Sequence, residues 1–195
     1  LSGSVGLSLS KKWKIPHVST FHTLAQKKII ARVGEYETNE RLMVESIMAT
    51  KSDSIIISTQ DEADTIKDIY NIPTNKLNVI PGGVDLSLFR PKDKSESKKQ
   101  LALTGGEIIL AVARLEPLKG LDILLSAIYK IENHSEITLL IAGDYLNNQI
   151  EFQRLQTIIT ALQLTKNVKF LGNIEHTKMP LYMSAADVLV MPSYY

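Results

Sequence analysis

Short apolar runs alternate with longer amphipathic stretches along the chain, and this alternation constrains the fold more than any other feature. Residues 54–58, Ser-Ile-Ile-Ile-Ser, form an apolar core flanked by serines. A run of this kind is typical of a parallel strand that is covered on both faces. Strands and helices that alternate at this spacing indicate βαβ units, so we predict an α/β fold with parallel sheets.

The predicted elements fall into two groups, separated by the helix-breaking and strand-breaking segment Pro81-Gly82-Gly83. Before the break we predict strands at 15–21, 54–58 and 77–80 and helices at 38–50 and 59–70. After it we predict strands at 108–113, 137–142, 168–171 and 188–191 and helices at 119–131, 149–162 and 179–185. We therefore predict one domain at 1–81, a hinge or linker at 82–92 and a second domain at 93–195.

Composition excludes several classes of partner and site. A formal net charge of +1 over 195 residues gives no electrostatic reason to expect nucleic acid or an anionic membrane. The absence of cysteine excludes disulfides and thiolate metal sites, and it permits the reducing cytoplasm. No run approaches the ~18 apolar residues of a membrane span. We expect a cytoplasmic location and no transmembrane segment.

Two cations, Arg114 and Lys119, lie in the loop between the predicted strand at 108–113 and the helix that follows. A helix N-terminus offers free backbone N–H groups to an anion. Arginine grips a phosphate with a planar fork, and lysine adds a point charge. The pair is a candidate for holding a diphosphate and neutralising it as it leaves. The alternative is a pair of ordinary surface cations.

Three other features are candidates for a binding role. His22 follows the strand at 15–21, where it can contact a sugar hydroxyl or a developing charge, although a core or capped histidine is equally plausible. Arg41 and Glu45 share a helix face, so either Arg41 binds an acceptor phosphate or the two form an ordinary ion pair. The glycines at 82, 83, 143 and 172 each follow a strand, where they allow close backbone approach or simply a turn.

Several common motifs are missing from the sequence. There is no Asp-x-Asp pair to hold a divalent ion under a diphosphate, no Walker loop and no Gly-x-Gly-x-x-Gly. The four histidines follow no zinc-ligand spacing. We therefore expect no metal site and no cofactor in this chain.

A collinear series of segments resembles the motifs of family 4 glycosyltransferases. Residues 15–24 (IPHVSTFHTL) and 113–120 (ARLEPLKG) carry much of the resemblance. Further matches lie at 1–6 (LSGSVG), 41–45, 58–64, 79–91, 141–143, 168–172 and 185–193, and the ordered set is more specific than any one of them. Residues 1–6 and the His-Thr-Leu motif at 22–24 point to the branch of sucrose-phosphate synthases and inositol-phosphate glycosyltransferases.

The resemblance implies a GT-B fold, with two Rossmann-like domains facing each other across a cleft. Residues 1–81 would be the C-terminal part of the acceptor domain, and residues 93–195 would be the first part of the nucleotide-sugar domain. Both sheets would then be incomplete in this chain. It also implies an internal piece of a longer enzyme, inactive on its own.

The resemblance also implies roles for individual residues. Arg114 and Lys119 would hold the donor diphosphate, and His22 would contact the donor sugar near the reacting carbon. Gly143, Gly172 and Asn173 would face the nucleotide, while Thr23 and Arg41 would lie on the acceptor side. The implied activity is retaining hexosyl transfer from a donor such as UDP-glucose or UDP-N-acetylglucosamine. The acceptor would be a hydroxyl compound, in this branch a phosphorylated sugar or inositol.

Departures from the family pattern leave two alternatives open. Ala113 stands where the family has glycine, and Gly143-Asp144 replaces Gly-x-Gly. The sequence stops at Tyr194-Tyr195, just before the expected Glu-x7-Glu carboxylates. One alternative is a catalytically inactive GT-B relic that binds a nucleotide sugar. The other is an enzyme like the UDP-N-acetylglucosamine 2-epimerases.

Overall fold

The computed structural model describes residues 2–32, 34–103 and 105–194, and the chain divides into two compact units. Unit 1 is Leu1–Gly83 and unit 2 is Val84–Tyr195. The outer bounds predicted for the two domains, Leu1 and Tyr195, lie outside the described residues. Each unit has a parallel sheet, which confirms the predicted α/β class.

Unit 1 contains a three-stranded sheet in the order β1-β2-β3. Its elements are α1 (Ser2–Trp13), β1 (Val18–Thr20), α2 (Ala25–Ala31), α3 (Asn39–Lys51), β2 (Ser54–Ile57), α4 (Gln60–Tyr70) and β3 (Leu77–Val79). The central strand β2 buries Ile55 and Ile57, whereas Ser54 and Ile56 are half-buried. The expectation that this strand is covered on both faces is therefore met on one face only.

Threonine caps begin the two long helices that the sequence predicted in unit 1. The Thr38 hydroxyl accepts from the Arg41 N–H at 3.2 Å, and the Thr59 hydroxyl accepts from the Glu62 N–H at 3.1 Å. The Glu62 carboxylate in turn accepts from the Ser58 N–H at 2.9 Å. Side-chain oxygens satisfy the first backbone amides of a helix in this way and fix where it begins.

Helix α1 packs against α3 although its sequence is rich in serine and glycine, which are modest or poor helix formers. Its glycines explain the packing. A Cβ at Gly3 would collide with the Met48 side chain, and a Cβ at Gly6 would lie 3.0 Å from Nε2 of His17. The sequence did not predict α1 or α2, since tertiary contacts rather than helix propensity decide them.

Unit 2 contains a four-stranded parallel sheet in the order β6-β5-β4-β7. Its elements are α5 (Lys94–Gln100), β4 (Glu107–Val112), α6 (Leu121–Tyr129), β5 (Ile137–Ala142), α7 (Gln149–Ala161), β6 (Val168–Gly172), α8 (Met179–Ala185) and β7 (Val188–Leu189). Leu139 and Ile141 pack into one core, and Leu140 and Ala142 pack into another. Apart from Thr138, strand β5 is apolar, which suits a strand with both faces covered.

The Asp187 carboxylate bridges α5 and the start of β4. It pairs with Lys94 at 2.9 Å and with Lys98 at 2.8 Å, and it accepts from the Ile108 N–H at 2.7 Å. Hydrogen bonding to Lys98, and also to the Ile108 N–H and Lys94, holds the pKa of Asp187 well below its usual range.

Helix α6 begins at Leu121 and not at residue 119 as predicted. Residues Pro117–Lys119 form a single 3₁₀ turn, and Gly120 follows it in the left-handed region with φ 63°. A left-handed residue interrupts a right-handed helix, so the turn and α6 are separate. Among the described residues, no helix is both long and apolar enough to cross a membrane.

Candidate functional site

The predicted donor-side residues follow three neighbouring strands of unit 2. Arg114 follows β4, Gly143 follows β5, and Gly172 ends β6 with Asn173 directly after it. Two backbone hydrogen bonds continue the sheet past the strand ends: Ala113 N–H to the Ala142 oxygen at 3.0 Å, and Gly143 N–H to the Gly172 oxygen at 2.9 Å. Parallel strands present their carboxyl ends at one edge, where ligands bind in open α/β sheets.

Glycine is favoured at positions 143 and 172 of this edge for two different structural reasons. A Cβ at Gly143 would overlap the carbonyl oxygen of Ala113, so the close approach is between two backbone segments. Gly172 has φ 71°, which favours glycine in a turn. Gly82 and Gly83 show neither feature, since a Cβ at either would meet no described atom within 4 Å and neither has a left-handed φ.

Arg114 and Lys119 both lie in the loop between β4 and α6, as predicted. Arg114 is mostly exposed, and its Nη1 pairs with the Glu116 carboxylate at 2.8 Å. An exposed pair of this kind contributes about 0–1 kcal/mol, so a stronger anion can replace it. Lys119 is half-buried, and its ammonium makes no ion pair or hydrogen bond within the described ranges. Gly120 provides no side-chain cap for α6.

The rest of the unit braces this loop at three points. Nδ2 of Asn148 donates to the Leu115 carbonyl oxygen at 2.8 Å, and the Tyr194 N–H donates to the Leu118 oxygen at 2.9 Å. Gly120 lies so close to Pro192 that a Cβ would overlap the Pro192 carbonyl oxygen. Leu115 and Leu118 are both buried beneath the loop. Sequence reasoning missed Asn148, because nothing in its local pattern distinguishes it from an ordinary helix cap.

In unit 1, a cavity of about 650 Å³ opens between α1, β1 and α3. The residues that line it include Ser2, Ser19, Thr20, Glu40, Arg41 and Glu45. His22 and Thr23 are not part of the lining. Hydroxyl-bearing residues, a guanidinium and two carboxylates make this lining partly polar, which suits a hydroxylated small molecule.

Arg41 contacts Thr23 and Glu37. Its Nη2 donates to the Thr23 hydroxyl at 3.0 Å, and its Nη1 donates to both Glu37 carboxylate oxygens at 2.9 Å. Lys28 donates to the same carboxylate at 2.8 Å, and this hydrogen bond, together with the charge of Arg41, lowers the pKa of Glu37. Two cations thus share the Glu37 carboxylate, while Glu40 and Glu45 lie near Arg41 on the same helix.

The alternative that Arg41 forms an ion pair with Glu45 is wrong. Arg41 pairs with Glu37, four residues earlier in the chain, instead. Glu45 is buried and accepts from the Ala25 N–H with both carboxyl oxygens, at 2.9 and 3.0 Å. It also accepts a hydrogen bond from the Tyr70 hydroxyl. Spacing on one helix therefore predicted a shared face but not the partner of either residue.

His22 is exposed at the carboxyl end of β1, with Phe21 between it and the strand. Its interpretation as a core histidine is therefore wrong. Its ring makes no hydrogen bond to the described part of the chain. The imidazole is thus available to a ligand, as the donor-sugar role requires.

Two family models together match most of the chain. The model described as "Glycosyl transferases group 1" matches residues 93–195, which is more than half of the sequence. The chain belongs to the group 1 glycosyltransferases. A second model, "Glycosyltransferase Family 4", matches residues 1–88 of this group 1 member.

Relatives of this group 1 glycosyltransferase chain include D-inositol 3-phosphate glycosyltransferases. That of Segniliparus rotundus is 32% identical over 198 residues, a match that covers 100% of this chain and 44% of the relative. That of Acidothermus cellulolyticus is 30% identical over 203 residues and is covered to 45%. The chain thus spans a little under half the length of these curated relatives.

Solved structures agree with the family assignment. The sucrose-phosphate synthase of Thermosynechococcus elongatus matches 100% of the chain with a TM-score of 0.87 and 30% identity, over 48% of its own length. Anabaena HepE, solved in complex with UDP-glucose, matches 98% with a TM-score of 0.79 and 26% identity, over 50% of its length. The predicted GT-B fold class is therefore confirmed, as is the resemblance to this branch of family 4.

Metal-ligating side chains do not cluster in the part of the chain that the structure describes. No group of three or more His, Asp or Glu residues there is arranged to hold a metal ion.

Proposed function

We propose that the whole protein is a retaining glycosyltransferase that moves a hexosyl group from a nucleotide sugar to a hydroxyl acceptor. The observation that carries this proposal is the braced loop in which Arg114 and Lys119 follow β4 at the carboxyl edge of the unit 2 sheet. A rigid loop with two cations beside a helix N-terminus suits a departing diphosphate. The family assignment supports the same activity.

The donor would lie along the edge formed by the ends of β4, β5 and β6. Arg114 can form two parallel hydrogen bonds to the diphosphate, while Lys119 offers a point charge. The backbone at Gly143, Gly172 and Asn173 would contact the nucleotide. We propose a UDP-sugar, UDP-glucose or UDP-N-acetylglucosamine, because the HepE neighbour was solved with UDP-glucose.

Catalysis in this proposal is mainly electrostatic. Negative charge grows on the diphosphate as the bond to the sugar breaks, and preorganised cations stabilise it without rearrangement. His22 would contact the donor sugar near the reacting carbon. The acceptor hydroxyl then attacks from the side on which the diphosphate leaves, which retains the configuration. No metal or further cofactor forms part of the proposal, and we place the reaction in the cytoplasm.

The acceptor would bind through Arg41 and Thr23, which are hydrogen-bonded to each other. The Arg41 guanidinium lines the cavity together with Glu40 and Glu45, and its planar fork can exchange the Glu37 carboxylate for another anionic group. We therefore propose a phosphorylated sugar or inositol as the acceptor. The names of the curated relatives, D-inositol 3-phosphate glycosyltransferases, support this choice.

The first experiment is calorimetric titration of UDP-glucose, UDP-N-acetylglucosamine and GDP-mannose into the whole protein and its Arg114→Ala variant. Tight binding of one donor that the variant loses identifies the donor and supports the diphosphate site. Transfer is then assayed with inositol phosphate and with free inositol as acceptors. Binding without transfer to either would favour the nucleotide-sugar-binding relic, and no binding of any donor would contradict the proposal.

A further inference from the structure

Helix α2 has no side-chain cap of its own. The residue at its N-cap position is Leu24, which is fully buried and makes no side-chain hydrogen bond to the helix. A leucine side chain cannot accept a hydrogen bond, so the first amides of α2 need a side-chain acceptor from elsewhere. The Ala25 N–H finds one in Glu45, twenty residues later on α3.

Burial of the Glu45 carboxyl group costs free energy, because the group loses its contact with water. Its side chain is buried, and in the described ranges it pairs with no Lys, Arg or His. A buried acid without a cationic partner is destabilising unless hydrogen bonds compensate for the lost water. Both of its oxygens are used on the Ala25 N–H, and Oε1 also accepts from the Tyr70 hydroxyl.

A second bond from α3 reaches the same short segment. Arg41 lies one turn before Glu45 and donates to the Thr23 hydroxyl at 3.0 Å. Residues 21–24, between β1 and α2, have no regular structure. Helix α3 therefore holds this segment on both sides of the buried Leu24, at Thr23 and at Ala25. His22, which is exposed, directly precedes the held residues.

We infer that Glu45 is a positioning residue that fixes the segment carrying His22 and Thr23. It acts through the Ala25 N–H, because both of its oxygens already accept hydrogen bonds within unit 1. The inference rests on the proposed function, in which His22 contacts the donor sugar and Thr23 the acceptor. A displacement of about 1 Å of a group at a reacting centre can cost on the order of a hundredfold in rate.

The test compares Glu45→Ala, Glu45→Met and Glu45→Gln with a matched control, Glu62→Ala, in the whole protein. Glu62 also accepts a backbone N–H at a helix start in unit 1, but at Ser58. Loss of Glu45 is expected to lower kcat at least about tenfold and to change the donor KM less than about twofold. Glutamine keeps one acceptor for Ala25, so Glu45→Gln should stay within about threefold of wild type.

Glu45→Met preserves the buried volume, so the test stands even if Glu45→Ala does not fold. Rates are compared at equal folded fraction, measured by circular dichroism. Equal kcat values for Glu45→Met and Glu62→Ala would overturn the inference, because a merely structural carboxylate would behave in that way.

A second measurement does not depend on activity. NMR follows the ring resonances of His22 and the hydrogen exchange of the Ala25 amide. Both are expected to change in Glu45→Met and to stay unchanged in Glu62→Ala. Unchanged His22 resonances in Glu45→Met would overturn the inference. Absence of turnover in the wild type would contradict the proposed function alone, and these spectra would still decide whether Glu45 holds the segment.

Discussion

The side chain of Asn148 joins the start of α7 to the loop that carries Arg114 and Lys119. Its Nδ2 donates to the Leu115 carbonyl oxygen at 2.8 Å, and its Oδ1 accepts from the Glu151 N–H at 3.2 Å. One amide therefore both caps a helix and holds the neighbouring loop. The two roles use different atoms, so a single substitution can separate them.

Asn148→Asp is expected to keep the helix cap and lose the contact with the loop, because aspartate accepts hydrogen bonds but does not donate one when ionised. The lost hydrogen bond is worth about 0.5–1.5 kcal/mol, so affinity for UDP should fall by roughly twofold to twelvefold. Calorimetric titration of UDP into the whole protein measures this.

The matched control for that substitution is Asn78→Asp, the same chemical change at a hydrogen-bonded asparagine in unit 1. It is expected to leave UDP affinity at the wild-type value. Equal affinity for UDP in Asn148→Asp and wild type would show that the loop does not need this contact.

Arg114→Ala and Lys119→Ala are each expected to lower kcat by about a hundredfold to a thousandfold, the usual cost of removing one preorganised group at a developing charge. Steady-state kinetics with the donor identified by titration measures the effect. Lys130→Ala, at the exposed end of α6, is the control and should stay near wild type. Near-normal turnover of both cation variants would exclude them from the diphosphate site.

Gly120→Ala is expected to lower the free energy of unfolding by about 1–3 kcal/mol, because alanine is strained at φ 63° and its Cβ would overlap the Pro192 carbonyl oxygen. Gly82→Ala has open space and no left-handed φ, so its change should stay within about 0.5 kcal/mol. Urea denaturation of both variants tests the contrast, and equal stabilities would contradict it.

Asp187 should make the stability depend on pH in the acid range. Its pKa is lowered in the folded state by Lys98 first, so the unfolded chain binds more protons below about pH 5. The stabilisation is present above the unfolded pKa, about 3.9, and is lost as the pH falls toward the folded pKa.

Asp187→Asn is therefore expected to lower the free energy of unfolding by about 1–3 kcal/mol at pH 7, and by progressively less toward pH ~3. Denaturation curves measured across that range for both proteins give the difference. Asp64→Asn, on the exposed face of α4, is the control and should leave the pH dependence unchanged. A difference that is constant with pH would rule out the ion pairs as its source.

Much of the fold could be predicted from local patterns. Strand β5 and helix α8 have the predicted bounds, because a mostly apolar run ends at Gly143 after the strand and Pro180 lies in the first turn of the helix. The helices predicted to start at Thr38 and Thr59 begin one residue later, at Asn39 and Gln60, with the two threonines as N-caps. Arg114 could be assigned to the loop after β4, because the apolar run of that strand ends just before it.

What could not be predicted depends on contacts between distant residues. The Glu45 carboxyl meets Ala25, twenty positions away, and no periodicity in α3 encodes that meeting. Asn148 and Leu115 are thirty-three positions apart. The sequence of helix α1 is not typical of a helix, because it contains glycines. These glycines have low helix propensity but allow close packing against Met48 and His17. Helix-face patterns place side chains correctly but do not identify partners on other elements.

The close approach of Gly143 to the Ala113 carbonyl oxygen has a consequence for how the protein can evolve. Position 143 has no room for a side chain, so substitutions at this edge of the sheet are expected at neighbouring positions instead. The next residues, 144–147, belong to an irregular loop in which Leu146 is largely exposed. A mutational library for changed donor preference would therefore randomise that loop and keep glycine at 143.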